Sequence, residues 1–439
     1  MTASGVAIVR MDGPKAMNTI SFEFSAAAKH MWATQIEPRS DVKAVVFISA
    51  KKDNFIAGAD IQDIKNVENK NDLLPIIEDG VDFFKSMKAK KIPLVAAING
   101  ACLGGGLEWA LWCDYRVCTD SSTTKMGLPE VKLGLLPGFG GTQNLFPLVG
   151  VQEAMKMMLA GGDVRPAKAK KIGLVDIVCS PHALEHNAIC AAEDIIAGNT
   201  KLSIPRKPKS WMNYAIENTP PGQNKMWETI DKQIMKTTNG VYPAPFAIID
   251  CVKAGLKGGS LDDRLKVERE NFVKLAASNE SASLIGIFDG MTALKKHNFG
   301  KPTRPTKTVA VLGAGLMGAG IAQVSAEKGY KVLLKDRDSK GITNGENYIF
   351  GNWDKKKKRK TMTMHKHNQV RRPQTLCSPP SLFTLFTHVY WKHVHGLTHS
   401  PPPPRTRPTL CPSPTTPRRG SSTSARLTWS SRPSSRTST

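Results

Sequence analysis

Apolar residues follow two rhythms along this chain, and the rhythm changes near residue 150. Before that point GVAIVRM (5–11) and AVVFISA (44–50) are short β-rich runs, and FEFSAAAKHMWATQI (22–36) spaces its apolar residues as a helix does. IPLVAAING (92–100) is almost wholly apolar, the pattern of a strand covered on both faces. LGGGLEWALWCDYRVC follows and predicts a helix that starts at the glycines. Strands alternating with helices predict an α/β fold. From about 150 to 300 the helical rhythm takes over, in VQEAMKMMLAG, PAPFAIIDCVKAGLK and SLDDRLKVERENFVKLAAS. KLSIPRKPKS (201–210), TPPGQ (219–223) and KPTRPTK (301–307) read as linkers, the last as a domain boundary.

TVAVLGAGLMGAGIAQVSAEKGYKVLLKD (308–336) reads as strand, glycine turn, helix and strand. Beyond it the pattern collapses. KKKKRK, HKHNQVRRP, PPPPRTRP and SSTSARLTWSSRPSSRTST hold almost no acids and no usable period. That composition predicts a disordered segment over 341–439, and an out-of-frame or intron-derived tail is the leading explanation. Its His388, His393, His395 and His399 suggest adventitious metal binding, and no dedicated metal site is expected.

Charge sharpens this division. Residues 341–439 hold 10 Arg and 7 Lys against Glu346 and Asp354, which is +15 of the chain's net +24. The remaining +9 suits a phosphate-bearing ligand and gives no argument for nucleic acid. The eight cysteines include no CxxC pair and read as reduced thiols. The longest apolar stretch, 92–113, is broken by Asn99, four glycines and Glu108, so it is a poor membrane span, and membrane association is not readable. No signal or transit segment is visible ahead of residue 5; either the mature chain starts here or its start is missing.

Candidate chemistry sits in GGGLEWALWCDYRVCTDSSTTKMGLPE (104–130). Glycines let a backbone approach a ligand closely, and the first N–H groups of a helix have no internal partner. Such donors can hold an oxygen that becomes negative. A second donor can come from NFIAGADI (54–61). Glu108 has apolar neighbours and reads as buried, so it must be paired, hydrogen-bonded or protonated. With Glu130 nearby, the two acids would titrate as a coupled pair, one taking a proton and the other giving one. Each piece also has a plainer reading: a glycine run as a packing device, and Gly-Leu-Pro-Glu as a turn with an exposed acid.

Taken together, NFIAGADI, VAAINGACLGGGLEWA, GLPEVKLGLLPGFGGTQ and AKKIGLVD occur in the order and spacing of the enoyl-CoA hydratase (crotonase) superfamily, which the chain resembles over roughly residues 5–180. The resemblance implies a crotonase-type ββα spiral. It implies oxyanion donors at the backbone N–H groups of Ala59 and Gly105, and catalytic acids at Glu108 and Glu130. It further implies hydration of a 2-enoyl-CoA thioester without a cofactor, with Δ3,Δ2-enoyl-CoA isomerisation as a related capacity. The alternative is a catalytically silent acyl-CoA-binding or assembly subunit. One departure is Asn144-Leu145-Phe146, where the family often has Arg-Leu-Pro; it is expected to touch acyl or CoA contacts.

GAGLMG places Gly313, Gly315 and Gly318 between a strand and a helix, with Asp336 ending the next strand. That context marks a dinucleotide site, the glycines admitting a pyrophosphate and Asp336 the adenosine ribose. The segment resembles the start of 3-hydroxyacyl-CoA dehydrogenases, which use NAD. A hydratase followed by such a dehydrogenase is the layout of multifunctional β-oxidation enzymes, and GVYPAPFAIIDCVKAG (240–255) looks like the linker in α-subunits of the mitochondrial trifunctional type. The resemblance implies a mitochondrial location, an oligomer or a complex with a thiolase subunit, and a dehydrogenase half that is incomplete and inactive here. The expected organisation is a hydratase domain at 1–190, a helical extension at 191–306, a truncated Rossmann β-α-β start at 307–340 and a disordered tail at 341–439.

Overall fold

The computed structural model describes residues 1–200, 202, 215–217, 219–295, 300, 303–370 and 376–377. The chain forms two compact units, Met1–Asn298 and Phe299–Thr439.

In the first unit five parallel strands lie in the order β1 (Val6–Met11), β2 (Ala44–Ser49), β4 (Leu94–Ile98), β6 (Tyr115–Thr119) and β8 (Ile177–Cys179). Every residue of β2 and β4 is buried, because both faces of the sheet are covered. Val45, Phe47, Ala96 and Ile98 enter the main core. Their neighbours Ala44, Val46, Val95 and Ala97 pack on the opposite side with Leu184, Ala188, Ala191 and Ala192, one face of the helix Leu184–Ile196. A second parallel sheet, β3 (Asn54–Ile56), β5 (Ala101–Leu103) and β7 (Lys125–Gly127), carries the turns that build the site.

The helices Pro220–Thr238, Ala244–Lys257, Leu261–Ala276 and Asn279–Ala293 contribute Met226, Ile248, Leu265, Phe272 and Ile285 to that same main core. They are walls of the unit as well as a connection. TPPGQ is not a linker. Thr219 caps a helix by accepting a hydrogen bond from Gly222 N, and prolines open its first turn, where a missing N–H costs nothing. KLSIPRKPKS lies outside the described residues except for Leu202.

In the second unit β9 (Thr308–Leu312) and β10 (Lys331–Lys335) pair in parallel, with the helix Leu316–Glu327 between them in sequence; β10 also pairs with β11 (Leu376–Cys377). The expectation of disorder is corrected over residues 341–370. Asp338 caps a helix over Ser339–Lys358, and a further helix covers Met364–Val370. Ile349, Trp353 and Val370 are buried against Val332 and Leu334, and Trp353 Nε1 donates to Glu327 Oε1 at 2.9 Å. The basic run KKKKRK had masked this apolar face, but Lys355–Lys358 close a helix, where cations oppose the exposed carbonyls favourably. The four tail histidines lie outside the described residues. Among the described residues no helix is long and apolar enough to cross a membrane, and no group of three His, Cys, Asp or Glu could hold a metal ion.

Candidate active site

The glycine run begins where β5 ends. Gly104 takes φ +52°, a conformation costly for any other residue, and its N–H donates to Gly127 O at 2.9 Å. That bond ties the run to the end of β7, from which Gly-Leu-Pro leads to Glu130. The helix Gly105–Trp112 starts immediately, and all eight of its residues are buried. Gly106 has no room for a side chain, since a Cβ there would lie 2.2 Å from Ile56 O. This close packing holds the helix start against the chain that leads to Ala59. A Cβ on Gly105 would lie 3.7 Å from Ala59 N. Among the described residues neither the Ala59 nor the Gly105 amide finds an acceptor. The two sequence-expected oxyanion donors are therefore neighbours.

Trp109 and Trp112 fix the helix that carries Glu108. Trp109 makes edge contacts with Phe24, Phe47, Phe83 and Phe84. Trp112 stacks on Phe84, and its Nε1 donates to Phe139 O at 2.7 Å. At the helix end the buried Arg116 donates to Ala110 O, Cys113 O and Leu174 O.

Glu108 is buried, and its Oε1 accepts hydrogen bonds from Phe139 N at 2.7 Å and Gly141 N at 2.8 Å. Burial pushes its pKa up to about 7, while the backbone donors of Gly141, Phe139 and Gly138 restrain the rise. Glu130 begins a short 3-10 turn, Glu130–Leu133. Its Oε1 sits so close to the glycine run that a Cβ on Gly104 would lie 2.7 Å away. Its Oε2 is buried with no hydrogen-bond partner. Burial pushes the Glu130 pKa well above the usual carboxylate range, and the charge of Glu108 pushes it further. The two acids therefore share one electrostatic environment.

A third acid, Glu268 on the helix Leu261–Ala276, was not singled out from the sequence. It is fully buried. It accepts from Gly140 N at 2.6 Å, from Thr142 N at 3.0 Å and from the Thr142 hydroxyl. Burial, then the charge of Glu108, pushes its pKa up to about 8. A signal for it exists in the sequence. Glu268 lies in helical register with Leu261, Leu265, Phe272 and Leu275, so it is an acid on an apolar stripe. At the departure noted above, Phe146 turns toward the extension, where a Cβ on Gly255 would lie 2.8 Å from its ring.

The second unit meets the demands of a dinucleotide loop. Gly313 has φ +97°, Gly315 has open space beside it, and a Cβ on Gly318 would strike Gly313 O at 1.8 Å. These are the needs of a tight turn, an approachable backbone and a helix packed on its strand. Asp336 Oδ2 accepts from Ala314 N at 2.6 Å, so in this structure it braces the loop. The residues present fit the ADP half of NAD.

Comparisons with known proteins agree with this division. Residues 1–239 match the family model "Enoyl-CoA hydratase/isomerase", and residues 308–378 match "3-hydroxyacyl-CoA dehydrogenase, NAD binding domain". The chain is 41% identical over 370 residues to the fatty acid oxidation complex subunit alpha of Shewanella amazonensis, covering 83% of this chain and 51% of that protein. It is 43% identical over 365 residues to the protein of that name from Shewanella loihica, covering 82% and 51%. The chain thus spans about half the length of these curated relatives. Among solved structures, human mitochondrial delta3-delta2-enoyl-CoA isomerase is similar with a TM-score of 0.48 and 21% identity, covering 67% of this chain and 96% of that one. Enoyl-CoA hydratase from Bacillus anthracis is similar with a TM-score of 0.41 and 25% identity, covering 66% and 92%. The expected mitochondrial location is overturned, because these sequence relatives are bacterial and bacteria have no mitochondria. The chain belongs to the enoyl-CoA hydratase/isomerase family and carries, after residue 308, the start of a 3-hydroxyacyl-CoA dehydrogenase NAD-binding domain.

Proposed function

We propose that the first unit hydrates trans-2-enoyl-CoA to 3-hydroxyacyl-CoA, a step of fatty-acid β-oxidation. The observation that carries this reading is a pair of electrostatically linked acids, the buried Glu108 and the half-buried Glu130, beside the adjacent free amides of Ala59 and Gly105. The thioester oxygen accepts from both amides. Glu108 takes a proton from water as the hydroxyl oxygen adds to the β-carbon. The electron pair of the C=C bond moves toward the thioester, and the resulting enolate oxygen is held by the two N–H groups. Glu130 delivers a proton to the α-carbon. One acid ends protonated and the other ionised, and a proton exchange between them restores the starting state. The roles follow from environment: backbone donors keep Glu108 the easier to ionise, whereas Glu130 lacks them on Oε2 and holds its proton. The same acids beside the same amides serve Δ3,Δ2-isomerisation, which shuttles one proton along the acyl chain. Loss of the ultraviolet absorbance of a conjugated enoyl thioester tests the assignment; a folded chain that leaves it unchanged refutes it.

NAD, when bound, accepts hydride at its nicotinamide ring; the loop at 313–318 would receive its pyrophosphate, and Asp336 its adenosine ribose. We propose that residues 1–439 alone do not oxidise 3-hydroxyacyl-CoA. Leu312, at the end of β9, and Leu316, Met317, Ile321 and Val324, on the helix that follows, remain exposed and form an apolar face that nothing among the described residues covers. NADH formation by the purified chain would refute this. The same exposed face, with the names of the relatives, supports membership of a β-oxidation complex; a catalytically silent binding or assembly role is favoured if acyl-CoA binds without turnover.

A further inference from the structure

The short stretch Phe139-Gly140-Gly141-Thr142 is gripped by two carboxylates at once. The amides of Phe139 and Gly141 donate to Glu108, and those of Gly140 and Thr142 donate to Glu268. Successive N–H groups thus turn alternately to the first-half acid and to the acid of the helical extension. The Thr142 hydroxyl adds a third donor to Glu268, and both residues are fully buried. Around this point the extension clamps the neighbouring backbone. The Phe272 ring packs closely on Gly138, where a Cβ would lie 3.0 Å from it, Gln143 Nε2 donates to Cys251 O at 2.9 Å, and Ser281 Oγ donates to Leu133 O at 2.9 Å. A buried carboxylate with three donors is a costly device unless its geometry is used, since an apolar residue would fill the same stripe.

We propose that Glu268 is a positioning residue for the hydration: from the helical extension it holds the 139–142 backbone so that two of its N–H groups are aimed at Glu108. The inference rests on the reading of Glu108 as the base, and it makes the extension part of the hydratase and not a spacer. Glu268 touches no reacting atom in this scheme. Without it the loop can rotate its amides away, Glu108 loses the donors that stabilise its charged form, and its reach to the water becomes variable.

The test uses the full chain and an enoyl-CoA substrate. Glu268→Gln keeps the volume but sets an amide donor against backbone N–H donors. It is expected to lower kcat about 10- to 100-fold while KM stays within about threefold, because the amides of Ala59 and Gly105 are untouched. Combined with Glu108→Gln, it is expected to cost little more than Glu108→Gln alone, since it acts through that residue. Additive losses, or an unchanged kcat, overturn the proposal. Should Glu268→Gln fail to fold, Thr142→Val removes only the hydroxyl donor. It is expected to lower kcat by severalfold, with Thr142→Ser restoring what it loses; wild-type kcat in Thr142→Val overturns the proposal. Absence of hydration by the unmodified chain overturns the functional reading and this inference together, whereas an active parent with an indifferent Glu268→Gln overturns the inference alone.

Discussion

Gly105→Ala separates the catalytic use of the glycine run from its packing use. A methyl group at 105 would meet Ile20 Cδ1 at 3.1 Å and Phe139 Cδ2 at 3.6 Å. Cδ1 is the far end of a flexible side chain and can yield. Position 105 is also the first residue of a helix, where alanine is favoured over glycine by up to about 1 kcal/mol. The fold should therefore tolerate the change, with stability altered by no more than about 1 kcal/mol. The same methyl would sit 3.7 Å from Ala59 N, in the space between the two amides. Blocking or tilting one oxyanion donor costs about 10²–10³ in rate, roughly 3–4 kcal/mol of transition-state stabilisation. The flanking glycines give contrast. A Cβ on Gly106 would collide with the Ile56 carbonyl at 2.2 Å, and one on Gly104 would combine φ +52° with a 2.7 Å approach to Glu130 Oε1. Gly106→Ala should unfold or aggregate; Gly105→Ala should not. The assay is enoyl-thioester absorbance under saturating and limiting substrate, alongside thermal unfolding. A folded Gly105→Ala enzyme within about threefold of the parent kcat/KM would show that the slot between 59 and 105 does not hold the thioester oxygen.

Four further outcomes are expected. Glu108→Gln and Glu130→Gln should each lower kcat/KM by about 10²–10⁴ while acyl-CoA binding, measured by calorimetry, persists; unchanged rates would exclude both roles. The rate should fall as pH drops below about 7, where Glu108 takes up a proton and ceases to act as a base, so an acid limb near the ordinary carboxylate range would contradict its burial. Stability should fall as pH rises from about 5 to 8. The raised values, about 7 for Glu108 and about 8 for Glu268, mean that the folded chain binds more protons than the unfolded one in that window; a higher Tm at pH 8 than at pH 5 would contradict this. Arg116→Met should cost about 3–5 kcal/mol, because it removes the buried guanidinium that pairs with Asp176 and caps carbonyls at the end of the Glu108 helix. Unchanged denaturant midpoints would refute that.

Local physics made much of the fold legible from the chain alone. The almost wholly apolar runs at 44–49 and 94–98 announce strands covered on both faces, and the fold buries every residue of each. The glycine pattern at 313–318 announces a turn, because only glycine satisfies its φ and its close contacts. Composition misled where a helix hid its apolar face behind charge, as Trp353 does beside KKKKRK, and where Thr219-Pro220-Pro221 was a cap and not a break. Sequence also determined that Glu108 sits on a helix starting at glycines, since that is a matter of neighbours. Tertiary structure alone decided that Glu268, 160 positions away, would share the 139–142 backbone with Glu108. A hydrogen bond or a carboxylate's desolvation depends on distance in space, and two acids so far apart along the chain meet only after the extension has packed against the first sheets.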